Sequence, residues 1–234
     1  MQREHVVIDL THPLVPNGVP ACLGHPSYNA ELTFKLADGD FANVHTLTLG
    51  SHTGTHIDAP YHFFLDGCTV DNLDLRLLAA APAVVVDLRL KKAHEPIRWE
   101  DLEKHAHRMR RGVAVLLCTG WSRRFGQQGY SDHPFLELEA ARRILDAGVR
   151  VIGADTLSPD EFTEEGDTGQ VHRLVLGSGG VIVENLNNLG QVLDKGWEDV
   201  RVSVLPLRLS GVDGSPVRAV VWNERPVAAT SIND

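Results

Sequence analysis

Apolar residues in this 234-residue chain come mostly as short β-branched runs broken by glycine and proline, and few stretches carry a helical period. Residues 6–10 (VVIDL) read as a short strand, and residues 13–26 as a Pro/Gly-rich loop too irregular for either period. Residues 46–49 alternate Thr and Leu, as a half-buried strand does. Residues 83–90 (AVVVDLRL) and 113–118 read as buried strands, and residues 99–111 as a helix stopped by Gly112. Residues 134–147 predict a helix with Pro134 at its start and Gly148 past its end. A strand over 149–154, a short helix over 170–176 and a strand over 181–183 follow. This alternation predicts parallel strands joined by crossover helices. Residues 201–210 and 217–222, separated by GVDGSP, read as an antiparallel pair at one edge or in a second sheet. The predicted class is α/β: a single domain over residues 1–234, with a mixed parallel and antiparallel sheet and crossover helices.

The pattern fails at GSHTGTHIDAPYHF, residues 50–63, which places His52, His56, Asp58 and His62 within eleven residues. His52 and His56 are four apart, as on one face of a helix. Gly54, the β-branched Thr53, Thr55 and Ile57, and Pro60 disfavour that helix. A tight loop is expected instead, with Gly50 and Gly54 letting the backbone turn so that side chains converge. Two imidazoles and a carboxylate suit Zn²⁺ or Mn²⁺ and leave a coordination position open, as catalytic sites do. Position 53 is Thr, so this is not HExxH, and His62 is the candidate general base. The competing reading is a histidine-rich turn whose rings bond backbone carbonyls and need no metal. His25, His94, His105, His107 and His133 have no such company and read as surface or helix residues.

Composition narrows the function. Charged residues make up 23% and the formal net charge is −9, with no Lys/Arg block, which argues against nucleic acid as a partner. Three cysteines without CxxC spacing indicate neither a disulfide framework nor a thiolate zinc site. MQREHVVIDL does not read as a signal peptide, and no apolar run approaches the roughly 20 residues of a membrane helix. A cytoplasmic location without membrane contact is the expectation.

HTGTHIDAPYHF resembles HxGTHxDxPxHF, the signature of the cyclase/kynurenine formamidase family of metal-dependent hydrolases. QVHRLVLG around His172, VIVENL around Glu184 twelve residues on, GADTLSPD and SPVRAVV resemble other family segments. The resemblance implies a swivelling β/β/α fold. It implies one or two divalent ions, Zn²⁺ or Mn²⁺. One would be held by His52, His56 and Asp58, the other by the shared Asp58 with His172 and Glu184. It also implies His62 as proton donor and acceptor, with direct ligation by His62 as the alternative. The partners implied are a small-molecule substrate and a homo-oligomer, dimer or higher.

The expected reaction is hydrolysis of a C–N amide or lactam, or of an ester or lactone, in a small cyclic or aromatic molecule. Alternatives are a cyclase or dehydratase using the same centre to stabilise an enolate, and a non-catalytic metal-stabilised binding protein. Phe63 and Trp121 are candidate substrate-lining residues, whereas Phe64 reads as core. Kynurenine formamidases carry a tryptophan in the N-terminal loop; the corresponding stretch here, VPACLGHPSY, places Cys22 or a neighbour there. That substitution argues against N-formylkynurenine.

Overall fold

The computed structural model describes residues 6–18, 25–164 and 166–224. The first half contributes β1 (Val7–Asp9), β2 (Asn29–Phe34), β3 (Val44–Thr48), β4 (His56–Asp58), β5 (Ala81–Asp87), β6 (Pro96–Ile97), α1 (Trp99–Leu102) and β7 (Ala114–Cys118). The second half contributes β8 (Phe135–Leu136), α2 (Leu138–Asp146), β9 (Val151–Ala154), β10 (Phe162–Thr163), β11 (Gly166–Asp167) and α3 (Gln170–Gly177). It ends with β12 (Val181–Glu184), α4 (Leu189–Asp194), β13 (Val200–Pro206) and β14 (Gly214–Asn223).

Eight strands form the main sheet in the order β1-β14-β13-β5-β7-β9-β12-β4, and β14 also pairs β4. That last pairing closes seven of the strands into a ring. β5, β7, β9 and β12 are parallel, as the alternation of strands and helices predicts. Crossover helices cover both faces, so these strands read as continuous apolar runs. Val84, Val86, Val115, Leu117 and Ile152 pack with Ala140, Ala141 and Ile144 of α2 and Val171 and Val175 of α3. The alternate residues Ala83, Val85, Leu116 and Val183 pack with Val202, Val204 and Val221 and with Leu189 and Val192 of α4. Gly153 is required where β9 lies between its neighbours: a Cβ there would fall 2.8 Å from Leu116 Cδ2 and Leu186 Cδ1.

Several boundaries differ from the sequence reading. Residues 135–136 pair in parallel with 96–97, so the helix starts at Leu138 and Pro134 precedes a strand rather than opening the helix. The stretch 99–111 is a four-residue α1 followed by a 3₁₀ segment over Glu103–Arg108, which buries none of its residues. β13 and β14 belong to the main sheet, where β14 lies between β1 and β13, not to a second one. β3 forms where the Thr/Leu alternation predicts a strand but is exposed along its length rather than half-buried, and its partner β2 escaped the pattern because the hairpin buries no residue on either face.

Just beyond β1, His12 is 6% exposed and its ring stacks on Phe125 at 3.9 Å and 10°. Burial drives its pKa down from 6.5 to about 4. Between those values the unfolded chain binds the proton and the folded one does not. The stability tied to His12 is therefore complete above pH 6.5 and is lost as pH falls toward 4. Replacing His12 with Phe should flatten the decline in stability across that window, read as the denaturant midpoint of variant and wild type at each pH.

Candidate metal centre

The site begins where the chain leaves β3. Gly54 has φ +66°, and a Cβ there would fall 2.4 Å from Leu14 Cδ2, so both conformation and space demand glycine. Gly50 is not in the left-handed region; Gly54 alone supplies that turn. Asn185, at the end of β12 and fully buried, locks it: Asn185 Nδ2 donates to Gly54 O at 3.1 Å and Thr55 Oγ1 donates to Asn185 O at 2.6 Å. Tyr130 Oη donates in turn to Asn185 Oδ1 at 2.7 Å.

From residue 56 onward the expected loop is a strand. β4 pairs antiparallel with β12, His56 opposite Glu184, and with β14, Asp58 opposite Gly214. Strand pleating puts His56 and Asp58 on one face and Ile57 on the other, in the core. α3 covers the polar face and brings in His172.

The atoms converge closely. His52 Nδ1 lies 2.7 Å from Asp58 Oδ1, and His56 Nε2 lies 3.3 Å from the same oxygen and 3.2 Å from Glu184 Oε2. His172 Nε2 lies 3.2 Å from Glu184 Oε1 and 3.5 Å from Asp58 Oδ2. Ligand atoms of His52, His56 and Asp58, and of Asp58, His172 and Glu184, form two clusters, each within 4.8 Å. Asp58 belongs to both.

Each far nitrogen of the three imidazoles is engaged. His56 Nδ1 donates to Gly54 O at 2.8 Å, His172 Nδ1 to Asp160 Oδ2 at 2.8 Å, and His52 Nε2 to Asp213 Oδ2 at 2.8 Å. Metal-ligating histidines are oriented in this way. Meanwhile Asp58 Oδ2 and Glu184 Oε1 are buried with no hydrogen-bond partner among the described residues. These residues fit a divalent cation: the near nitrogens and the carboxylate oxygens of each cluster lie within 4.8 Å of one another.

Electrostatics agree. Burial alone would lower His56, but Asp58 and Glu184 outweigh it and hold the ring at about 10. Burial would raise Asp58, but His56, His172 and His52 pull it well below the usual carboxylate range. The imidazoles thus take up protons to neutralise the carboxylates, a task a cation performs while releasing those protons. His62 differs. Burial lowers its pKa, its Nδ1 sits 3.2 Å from Asp213 Oδ2, and among the described residues it joins neither cluster around Asp58 but a separate group of possible ligand atoms with His52 and Asp213.

A cavity of about 140 Å³ opens over these groups, walled by His62, Phe63, Phe162 and Asp167 among others. It shares His25 and His52 with a second cavity of about 460 Å³ bounded by His12, Tyr28 and Phe125. Phe63 lines the first cavity and stacks on His172 at 4.9 Å. Trp121 does not: it is 7% exposed, packed with Tyr130 and Leu157, and its Nε1 donates to Tyr130 O at 2.9 Å. Cys22 lies outside the described residues. Phe64 is 37% exposed rather than core. His25 is exposed, as read, yet walls both cavities, whereas His133 is buried rather than on the surface, with Nδ1 donating to Pro134 O at 3.0 Å.

Sequence reasoning missed Asp160 and Asp213. Asp160 closes the GADTLSPD segment and also accepts the Val171 and His172 backbone N–H groups at 2.7 and 2.9 Å, capping α3. Asp213 lies in GVDGSP, which reads as a turn and carries no signal of its contact with two histidines.

Known proteins share this architecture. A "Kynurenine formamidase" of Bacillus thuringiensis (strain Al Hakam) is 34% identical, covering 94% of this chain and 97% of the relative. Isatin hydrolase A from Ralstonia solanacearum shares the fold with a TM-score of 0.83 at 24% identity, over 94% of this chain and 92% of the other. A solved structure described as a potential metal-dependent hydrolase with cyclase activity aligns at TM-score 0.74 and 26% identity, over 95% and 100% of the two chains. The Cyclase family model ("Putative cyclase") matches residues 8–161, and with the Bacillus relative it shows that this chain belongs to the cyclase family.

Proposed function

We propose that this chain is a metal-dependent hydrolase that opens a C–N amide or lactam bond, or an ester or lactone, in a small cyclic or aromatic molecule. The observation that carries the reading is the convergence of buried Asp58 and Glu184 on three imidazoles whose far nitrogens are already fixed, with Asp58 Oδ2 and Glu184 Oε1 making no well-formed hydrogen bond although His172 Nε2 lies 3.5 and 3.2 Å away. Relatives named for amide and isatin hydrolysis support the class. His52, His56 and Asp58 would hold one Zn²⁺ or Mn²⁺, and Asp58, His172 and Glu184 a second. Such an ion lowers the pKa of bound water from 15.7 to about 7 and polarises a carbonyl. His62, kept neutral by burial, takes a proton from the attacking water and returns it to the leaving nitrogen or oxygen. Phe63 packs one side of the cavity against water and holds the His172 ring in plane.

A second reading is cyclisation or elimination through an enolate, favoured by the relative described with cyclase activity. Product mass separates the two, since hydrolysis adds one water. A non-catalytic metal-stabilised protein would have no use for a neutral histidine beside the cluster. The proposal includes a homo-oligomer, supported by the β2–β3 hairpin: Phe34, Phe41, Val44 and Leu47 are all exposed, and an isolated two-stranded hairpin is marginal in water. Among the described residues no helix is long and apolar enough to cross a membrane, and a cytoplasmic location stays part of the proposal.

Three variants test the assignment by elemental analysis beside turnover. Asp58→Ala should lose both metal and activity, and full metal occupancy in it would refute the shared ligand. His62→Ala should keep most of its metal while turnover falls ~10²–10⁴-fold; matched losses would make His62 a ligand instead. Asp160→Asn should weaken metal affinity ~10–100-fold, measured by chelator competition, because it frees the His172 ring.

A further inference from the structure

We propose that Asp213 is a positioning residue that sets the tautomer and orientation of His62 while bracing His52. This rests on the hydrolase reading for its kinetic consequence, but not for its geometry. One oxygen, Asp213 Oδ2, meets His52 Nε2 at 2.8 Å and His62 Nδ1 at 3.2 Å. The two rings lie 4.0 Å apart between centroids, so the carboxylate bridges neighbours already in contact.

The placement is built into the backbone. Ala59 N donates to Asp213 O at 2.9 Å, tying the turn to the chain just after β4. The next residue, Gly214, lies opposite Asp58 in the sheet. A Cβ at Gly214 would fall 2.8 Å from His52 Cε1 and 3.0 Å from Ile57 O, so the turn approaches the imidazole as closely as backbone can. The backbone of the turn thus sets the carboxylate beside both rings.

The chemical consequence follows from imidazole itself. A neutral ring has one N–H and one lone pair, and a base needs the lone pair on the nitrogen facing water. A carboxylate can only accept, so at Nδ1 it selects the Nδ1–H tautomer and leaves the Nε2 lone pair for the cavity. The proton leaving water forms a bond to Nε2 and later passes from Nε2 to the departing nitrogen or oxygen. Asp213 gains no proton in either step; it stabilises the transient imidazolium.

The test combines kinetics with ¹⁵N NMR of the histidine rings in the zinc-loaded and metal-free protein. Wild type should show His62 as the Nδ1–H tautomer, and Asp213→Ala should lose that preference. With zinc kept saturating, turnover of Asp213→Ala should fall ~10²-fold with little change in KM, while chelator competition should show zinc held ~10–100-fold more weakly because His52 loses its brace. In a His62→Ala background at saturating zinc, adding Asp213→Ala should cost nothing further, because the rate effect runs through His62. Formate should restore part of the single variant's rate. Asp213→Asn, of the same shape, carries the same readouts if the alanine variant folds poorly. An unchanged His62 tautomer in the variants, an equal loss in the His62→Ala background, or a rate loss that excess zinc fully restores would overturn the proposal. A wild type with the Nδ1–H signature and no hydrolytic turnover would instead refute the hydrolase reading and leave the positioning role standing.

Discussion

The constraint on which the rest of this structure depends is the removal of two carboxylates from water. Asp58 is 0% exposed and Glu184 7%. Burying an ionised carboxylate costs several kcal/mol unless it is paired and hydrogen-bonded. The molecule meets that cost with positive charge gathered around the pair: three imidazoles here, and a divalent ion where the proposed chemistry operates. The glycine at position 54, the buried Asn185 and the helix-capping Asp160 all hold the imidazoles at the distances that make this compensation work.

The same two carboxylates sit at the seam of the barrel. β4 is only three residues long, yet it joins β12 to β14 and closes the ring. Its inward residue, Ile57, is fully buried in the core, while His56 and Asp58 face α3. Closure and the metal centre are thus two faces of one strand. The backbone pairing of β4 with β12 and β14 closes the ring by itself, and an ion held there would add its binding energy to that of the seam.

How far the sequence revealed this depends on what each element must satisfy. The parallel strands were legible because burial on both faces forces continuous apolar runs. α3 was legible over nearly its true span. The histidine stretch announced its chemistry through residue type and crowding, but not its backbone: three residues of β4 are too few to show a period of two. β2 and β3 bury nothing, so no pattern marks β2. Trp121 misled because an aromatic suits a cavity wall and a small core equally well, and its indole N–H found a carbonyl at Tyr130. His25, Asp160 and Asp213 were illegible for a different reason. Each reaches the site from a turn or loop, and only the three-dimensional path of the backbone says where a turn points.

That division explains why reaction class is better defined than substrate. The groups proposed to carry the chemistry stand on β4, β12 and α3 or in turns bonded to them, and the core fixes those elements. The space a substrate would fill is bounded differently. Beyond His25 and His52 the wall passes to Pro13, Tyr28 and Phe125, which lie in irregular segments. Loops of that kind can change residue by residue without disturbing the barrel. A tight centre opening past His25 and His52 into a wider, loop-lined chamber therefore suits the proposed division, in which one attack on a carbonyl is kept while loops decide which carbonyl arrives.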